Sequence, residues 1–243
     1  MKLVIFSDIH ANVTALNAII KDIKKKNLKD YKIAILGDTI NYGLSPNKTL
    51  EILKEQINIE ILLAGNHEMA LMGFEEHKFS TQRGKEILQL TKKLISKNNY
   101  QYIENSFTKD YVKKQIDGRL YLFIHGSLQD KFWGSINNEN MNNPIYKKYD
   151  IVVSGHSHKP HYVEIFFEDV NKDMRNKKRT IFINPGSIGQ PRNHSNQAQY
   201  SILDTKTLEL SFCKCSYDIQ KEQKIYDNYD VDIFYKTRLG VGL

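Results

Sequence analysis

Apolar residues in this chain come in short blocks, and most blocks end at a glycine or polar motif. Residues 3–6 are continuously apolar and read as a buried strand. Val13, Leu16, Ile19, Ile20 and Ile23 follow at helical spacing, and Asn12 is placed to cap that helix. Residues 33–36 and 61–64 read as two further buried strands. Between them, a helix over 47–56 is entered after Ser45-Pro46. This β-α-β-α-β order predicts a parallel sheet with right-handed crossovers.

The middle of the chain follows another rhythm. From about 77 to 97 the pattern is helical, with Ile87, Leu90 and Leu94 on one face. Residues 111–116 and 119–124 flank Asp117-Gly118 and predict a hairpin. Residues 151–154 read as another buried strand, and 162–167, 180–183, 199–203 and 208–213 suggest a second, more antiparallel group. The expected fold class is α/β: two mixed β-sheets packed as a sandwich, flanked by α-helices. Residues 1–217 form its domain. From 218 to 243 the chain turns polar and aromatic, and a loosely packed tail is expected.

Composition narrows the class. Hydrophobic residues make up 40% and charged residues 26%, ordinary for a globular protein with a sizeable core. No run of about 18 apolar residues predicts a membrane span, and the first residues turn acidic too early for a signal peptide. Cys213 and Cys215 are the only cysteines, so no disulfide framework is expected. They alternate on one strand, where core packing explains them. The expected location is cytoplasmic. A net charge of +7 favours anionic partners, phosphates or nucleic acid. With no stripe of aromatic and basic residues, nucleic acid is allowed but not favoured.

The motifs carry the chemistry. Asp8-Ile9-His10, Gly37-Asp38, Gly65-Asn66-His67-Glu68, His125-Gly126 and Gly155-His156-Ser157-His158 mostly follow the apolar runs. In open α/β sheets, ligands bind beyond the carboxyl ends of the strands. Any one of these residues alone reads as a turn residue or a structural histidine. Five of the chain's eight histidines lie in these motifs, and the set reads as a two-metal site with a general acid. Asp8 and His10, two apart in an extended strand end, face the same way, and His156 and His158 repeat the spacing. Asp38 can bridge two cations. Mixed nitrogen and oxygen donors without thiolate suit Mn²⁺, Fe or Zn²⁺. Two ions about 3.5–4 Å apart clamp a phosphoryl group and activate water. His67, next to Asn66, is placed to protonate the leaving oxygen. Glu68 either orients His67 or favours a helix N-terminus. Asn12 either caps its helix or also touches phosphate. Tyr42, Phe132 and Trp133 are either pocket walls or core. His161 is expected to be structural, and His77 and His194 to lie in loops.

In this order the motifs resemble those of the calcineurin-like metallophosphoesterase superfamily, from Lys2 to about Leu203. Position by position, the resemblance implies that Asp8, His10, Asp38 and His158 hold one metal and that Asp38, Asn66, His125 and His156 hold the other. His67 takes the place of the family's catalytic histidine. The implied cofactors are two divalent ions, Mn²⁺ foremost, with Fe, Ni or Zn as alternatives. The implied fold is a double β-sandwich flanked by helices. Ser7-Asp8-Ile9-His10-Ala11-Asn12 and the stretch from Asn184 to Arg192 look most like a compact prokaryotic phosphodiesterase-type branch, with Arg192 as a phosphate or substrate contact. Two departures stand out. Gly37-Asp38 runs into Thr39-Ile40-Asn41-Tyr42-Gly43 without the arginine carried by serine/threonine phosphatases and bis(nucleoside) tetraphosphatases, which weakens both readings. Glu68 also stands where aspartate is usual.

The expected activity is hydrolysis of phosphodiesters in a small phosphate ester or nucleotide, by attack of a metal-bridging hydroxide with His67 as general acid. Residues 74–98 and 129–149 are expected to frame the pocket. Alternatives are a phosphomonoesterase or nucleotide pyrophosphohydrolase, a nuclease, and a catalytically silent scaffold. The presence of His67 and all seven ligand candidates argues against the scaffold.

Overall fold

A computed structural model describes residues 1–56, 58–174 and 177–243. The first quarter of the chain is built as the apolar pattern predicts: β1 (Lys2–Phe6), α1 (Val13–Lys25), β2 (Tyr31–Ile35), α2 (Pro46–Glu55) and β3 (Ile59–Leu62). β1, β2 and β3 pair in parallel. β1 is apolar throughout because both of its faces are covered. Val4 and Phe6 pack under the Leu16–Ile19–Ile23 stripe of α1, while Leu3 and Ile5 face the second sheet. Asn12 Oδ1 accepts the Ala15 N–H at 3.0 Å and starts α1.

Two short helices and a longer one follow: α3 (Asn66–Leu71), α4 (Gln82–Leu94) and α5 (Lys97–Ser106). α4 falls within the expected helical stretch. α5 has no clear apolar period in the sequence; Ser96 Oγ caps it by accepting the Asn99 N–H. The hairpin β4 (Val112–Ile116) and β5 (Arg119–Ile124) turns at Asp117 and Gly118, both with positive φ.

The remaining strands are β6 (Ile151–Ser154), β7 (His161–Phe166), β8 (Arg179–Asn184), β9 (Ala198–Asp204) and β10 (Leu210–Cys215). They do not form the separate antiparallel group expected from the sequence. β9 and β10 join the first sheet, in the order β10-β9-β1-β2-β3. The second sheet runs β4-β5-β6-β8-β7, with β5, β6 and β8 parallel and antiparallel strands at both edges. β9 crosses over because Leu203 pairs with Leu3 and completes the buried inner layer. That layer sets Leu3, Ile5, Ala34 and Leu36 against Tyr121, Phe123, Val153 and Ile183. Cys213 and Cys215 pack on the α1 side of the first sheet.

The segment 218–243 is not a loose tail. It forms α6 (Ile219–Tyr226) and α7 (Ile233–Thr237), with Tyr226, Tyr235 and Leu239 buried against Leu44 and Ile87. Its apolar residues are too widely spaced to show a helical stripe, and their partners lie more than a hundred residues away. Among the described residues, no helix is long and apolar enough to cross a membrane.

Candidate metal centre

Every candidate ligand lies past the carboxyl end of a strand. Asp8 and His10 follow β1, Asp38 follows β2, Asn66 opens α3 after β3, His125 ends β5, and His156 and His158 follow β6. The convergence does not come from strand alternation as expected. Asp8, His10, Asp38, His156 and His158 all have φ between 48° and 63°. Left-handed backbone of this kind costs of order 1–3 kcal/mol per residue and persists only where surroundings hold it. The hold is a ladder between loops: Asp8 N–H donates to Gly37 O at 3.1 Å, His10 N–H to Asp38 O at 2.9 Å and Ala11 N–H to Thr39 O at 2.8 Å. From the loop after β8, Ser187 Oγ donates to the Asp8 carbonyl at 2.7 Å. Gly65 fits because a Cβ there would lie 2.6 Å from Asp38 N and 2.7 Å from His125 Cε1.

Asp8, His10, Asp38 and His158 present ligand atoms within 4.8 Å of one another. His10 Nδ1 lies 3.3 Å from Ile40 O, and His158 Nδ1 lies 2.5 Å from Gln190 O. A carbonyl only accepts, so each Nδ1 carries the proton and each Nε2 presents a lone pair. Those two Nε2 atoms face each other at 3.1 Å. Burial and the neighbouring His158 keep His10 well below its usual protonation range, and burial and Arg192 lower His158. Both carboxylate oxygens of Asp8 are buried without a hydrogen-bond partner. Asp8 Oδ1 lies 3.2 Å from His158 Nε2. Two lone pairs and an unpartnered anion around one point are repulsive unless a cation sits among them.

Asp38, His125 and His156 form a second such group. Asn66 Oδ1 lies 3.1 Å from His125 Nε2 and 3.0 Å from His156 Nδ1. His125 Nδ1 donates to Leu36 O at 2.7 Å, so its Nε2 faces Asp38 Oδ2 at 3.3 Å. Burial pulls His125 down, yet Asp38 raises it to about 9. A cation held here takes the place of the shared proton. Burial and His125 lower His156 to about 3, which leaves it neutral for ligation. Asp38 belongs to both groups. The donors are carboxylate, amide and imidazole, a set suited to two divalent cations.

His67 flanks the shared carboxylate. Its Nε2 is 3.8 Å from Asp38 Oδ2, and its Nδ1 is hydrogen-bonded to the Asn41 amide at 2.6 Å. Burial is the main cause that lowers it to about 4. Tyr42 and Phe79 pack on its ring, with centroids at 4.4 and 5.1 Å.

Sequence reasoning missed Asn41, and of the two roles it left open for Glu68 the structure bears out the one at the helix N-terminus. Glu68 does not orient His67. Its carboxylate accepts N–H groups of Gly65 and Asp38 on one oxygen, each at 2.8 Å. The other oxygen accepts Thr39 N–H, Thr39 Oγ1–H and Ile40 N–H at 2.8, 2.9 and 3.1 Å. Glu68 therefore clamps the loop that carries Asp38 to the start of α3. Burial and the Asp38 charge push its carboxyl upward, opposed by the bonds from Gly65 and Thr39.

Asn12 is corrected as a phosphate contact. Its Oδ1 caps α1, and its Nδ2 donates to Gly189 O at 3.0 Å and Tyr217 Oη at 3.3 Å. At 2% exposure it offers no free donor to a ligand. Arg192 lies beside the first donor group, with a buried Nε that has no partner. Trp133 reaches His156 at 6.4 Å between ring centroids, whereas Phe132 packs with Ile40 and Leu50 away from the site. His161 sits part-buried at the rim; His77 and His194 are exposed.

Residues 1–208 match the model of the calcineurin-like phosphoesterase superfamily domain. A protein of uncharacterised function from Methanocaldococcus jannaschii is 30% identical over 232 residues, which span 92% of this chain and 91% of that protein. The crystal structure of a metallophosphoesterase from Sphaerobacter thermophilus superposes with a TM-score of 0.79 at 24% identity, covering 100% of both chains. A hypothetical protein from Pyrococcus horikoshii superposes with a TM-score of 0.83 at 18% identity, covering 100% of this chain and 98% of that one. The two mixed five-stranded sheets with flanking helices are the fold these proteins share.

Proposed function

Because this chain belongs to the calcineurin-like phosphoesterase superfamily, whose members are metal-dependent hydrolases of phosphoric esters, we propose that it is a dinuclear phosphodiesterase. Asp8, His10, Asp38 and His158 hold one divalent cation, and Asp38, Asn66, His125 and His156 hold the other. Mn²⁺ is the first choice, with Fe, Ni or Zn as alternatives for the same donors. The carrying observation is the pair of opposed Nε2 lone pairs, 3.1 Å apart, beside the unpartnered Asp8 carboxylate.

When bound, such cations supply the Lewis acidity that activates water and neutralises phosphoryl charge. The chain supplies the rest. Glu68 keeps the bridging Asp38 in place. Asn41 sets the His67 ring so that Nε2 faces the donor cluster, where it gives a proton to the departing oxygen. Arg192 contacts the phosphate.

A diester needs room on both sides of phosphorus, and two cavities lie near the cluster, the larger lined by His156 and the smaller reached past Tyr42 and Trp133. One of about 240 Å³ is lined by Tyr42, Phe79, Trp133 and Tyr235, and one of about 610 Å³ by Asn137, His156, His161 and Arg192. A monoester would use only one of them.

The test is hydrolysis of bis-p-nitrophenyl phosphate and p-nitrophenyl phosphate by metal-stripped protein, with and without Mn²⁺. His67→Ala and Asp38→Asn run beside the wild type. Metal-restored diester cleavage, lowered about 10²–10⁴-fold in His67→Ala, is the expected result. Turnover of the monoester alone would replace the diesterase with a phosphatase.

A further inference from the structure

The smaller cavity is built partly by the segment 218–243, which lies outside the residues matched to the family. Tyr42, Phe79, Trp133, Phe234 and Tyr235 supply its aromatic surface, and Lys78, Arg83 and Arg238 supply cations. The cavity lies one aromatic layer from His67, since Tyr42 and Phe79 line it and also pack on that ring. Tyr42 also stacks on Tyr235 at 5.4 Å, tying the wall to α7.

Its charge is unbalanced. Guanidinium carbons of Arg83 and Arg238 lie 4.0 and 4.7 Å from the centre of the Phe234 ring. Among the described residues, the only arginine–carboxylate ion pair is Arg179 with Glu164, far along the second sheet. Arg238 is 9% exposed, and its Nε and Nη2 donate to the Leu243 carbonyl oxygen. Burial, then the like charge of Arg192, lowers Arg238 to about 10. Lys78 at the rim is paired with Glu75 and Asp130, whereas neither arginine has a side-chain carboxylate partner among the described residues, so an incoming anion would offset their charge.

We propose that this cavity is the leaving-group subsite and that it takes an alcohol which itself carries a phosphate, with a nucleoside monophosphate as the fitting class. This rests on the phosphodiesterase reading above. Water adds to the scissile phosphorus, the bond from phosphorus to the leaving oxygen breaks, and His67 protonates that oxygen. The products are a phosphomonoester in the larger cavity and a phosphorylated alcohol in the smaller one. Arg83 and Arg238 bind its second phosphate, and the aromatic wall receives its ring. In a 3′,5′-dinucleotide with a 5′-terminal phosphate, the leaving alcohol would be a 5′-nucleotide.

The experiment is calorimetric titration of 5′-AMP and of adenosine into the full chain with Mn²⁺. Wild type, Arg83→Gln, Arg238→Gln and Lys24→Gln are compared, the last as a control outside the cavity. Expected is AMP binding weakened about 10-fold in Arg238→Gln and about 3-fold in the more exposed Arg83→Gln, with Lys24→Gln like wild type. Arg83 is exposed, so its variant decides the matter even if Arg238→Gln folds poorly. Equal AMP affinity in wild type and Arg83→Gln, with adenosine bound as well as AMP, overturns the subsite. Turnover of bis-p-nitrophenyl phosphate by the wild type is recorded separately. Its absence would defeat the phosphodiesterase reading and with it the leaving-group role, whereas arginine-dependent AMP binding would still establish a phosphate-binding cavity.

Discussion

Asn41 and His67 meet at 2.6 Å, amide against Nδ1, inside a pocket closed by Thr91. Thr91 Oγ1 lies 2.9 Å from the Asn41 Oδ1, so the amide is itself anchored by α4. Asn41 has φ 68°, a conformation asparagine tolerates better than most residues. A neutral amide therefore fixes the ring whose other nitrogen faces the ligand cluster. Asn41→Ala is expected to lower kcat on bis-p-nitrophenyl phosphate about 10–100-fold, the size of effect usual for a residue that orients a functional group. Metal stoichiometry should stay at the wild-type value. A parallel loss of bound metal would show that Asn41 acts on the whole loop and not on His67.

Glu68 gathers five donors onto two oxygens. Glutamine has one acceptor oxygen, and its NH₂ would confront N–H groups in either orientation. Glu68→Gln is expected to lower the unfolding free energy by about 2–4 kcal/mol, from buried donors left unpaired. Urea denaturation measures this directly. Affinity for Mn²⁺ should fall with it, because the clamp positions Asp38. Wild-type stability in this variant would contradict the clamp.

The opposed imidazoles of His10 and His158 predict that metal stabilises the fold. Bound cation at about 100 times its Kd adds about 2.7 kcal/mol per site. Mn²⁺ should therefore raise Tm, and EDTA should lower it. In Asp8→Asn or His158→Ala the response to Mn²⁺ should shrink. Thermal scans that respond identically in wild type and variants would remove these residues from the ligand set.

Glu222 gives a pH signature. It is buried on α6, one oxygen accepts the Thr14 N–H at 3.2 Å, and the other has no partner. Burial raises its carboxyl above the ordinary 4.5. The folded state thus holds the proton more tightly than the unfolded one. Glu222 is least costly below pH 4.5 and destabilises the fold as pH rises through its folded-state pKa. Glu222→Gln should have the higher Tm near neutral pH, and the gap should close as pH falls toward 4.5. A gap that is constant with pH would mean that the charge is not the cause.

Local pattern alone determined much of this protein. Residues 3–6, 33–36 and 151–153 are apolar without a break because both faces of those strands are covered, and that is written in each short run. The stripe from Val13 to Ile23, the Asp117-Gly118 turn and the aspartates and histidines at strand ends are equally local, so the α/β class and the residue types of the candidate site were legible. Tertiary structure decided the rest, because the partners are distant in sequence. β9 joins the first sheet through the pairing of Leu203 with Leu3, which no local period records. Tyr226, Tyr235 and Leu239 are buried only because Leu44 and Ile87 offer them a surface. Asn12, Asn41 and Glu68 are polar residues whose roles depend on which backbone groups fold against them. The amide of Asn12 is saturated by Gly189 and Tyr217, and Glu68 reaches back to Asp38 and not across to His67. Hydrogen-bond partners are chosen by the packed fold, and residue type fixes only how many a side chain can take.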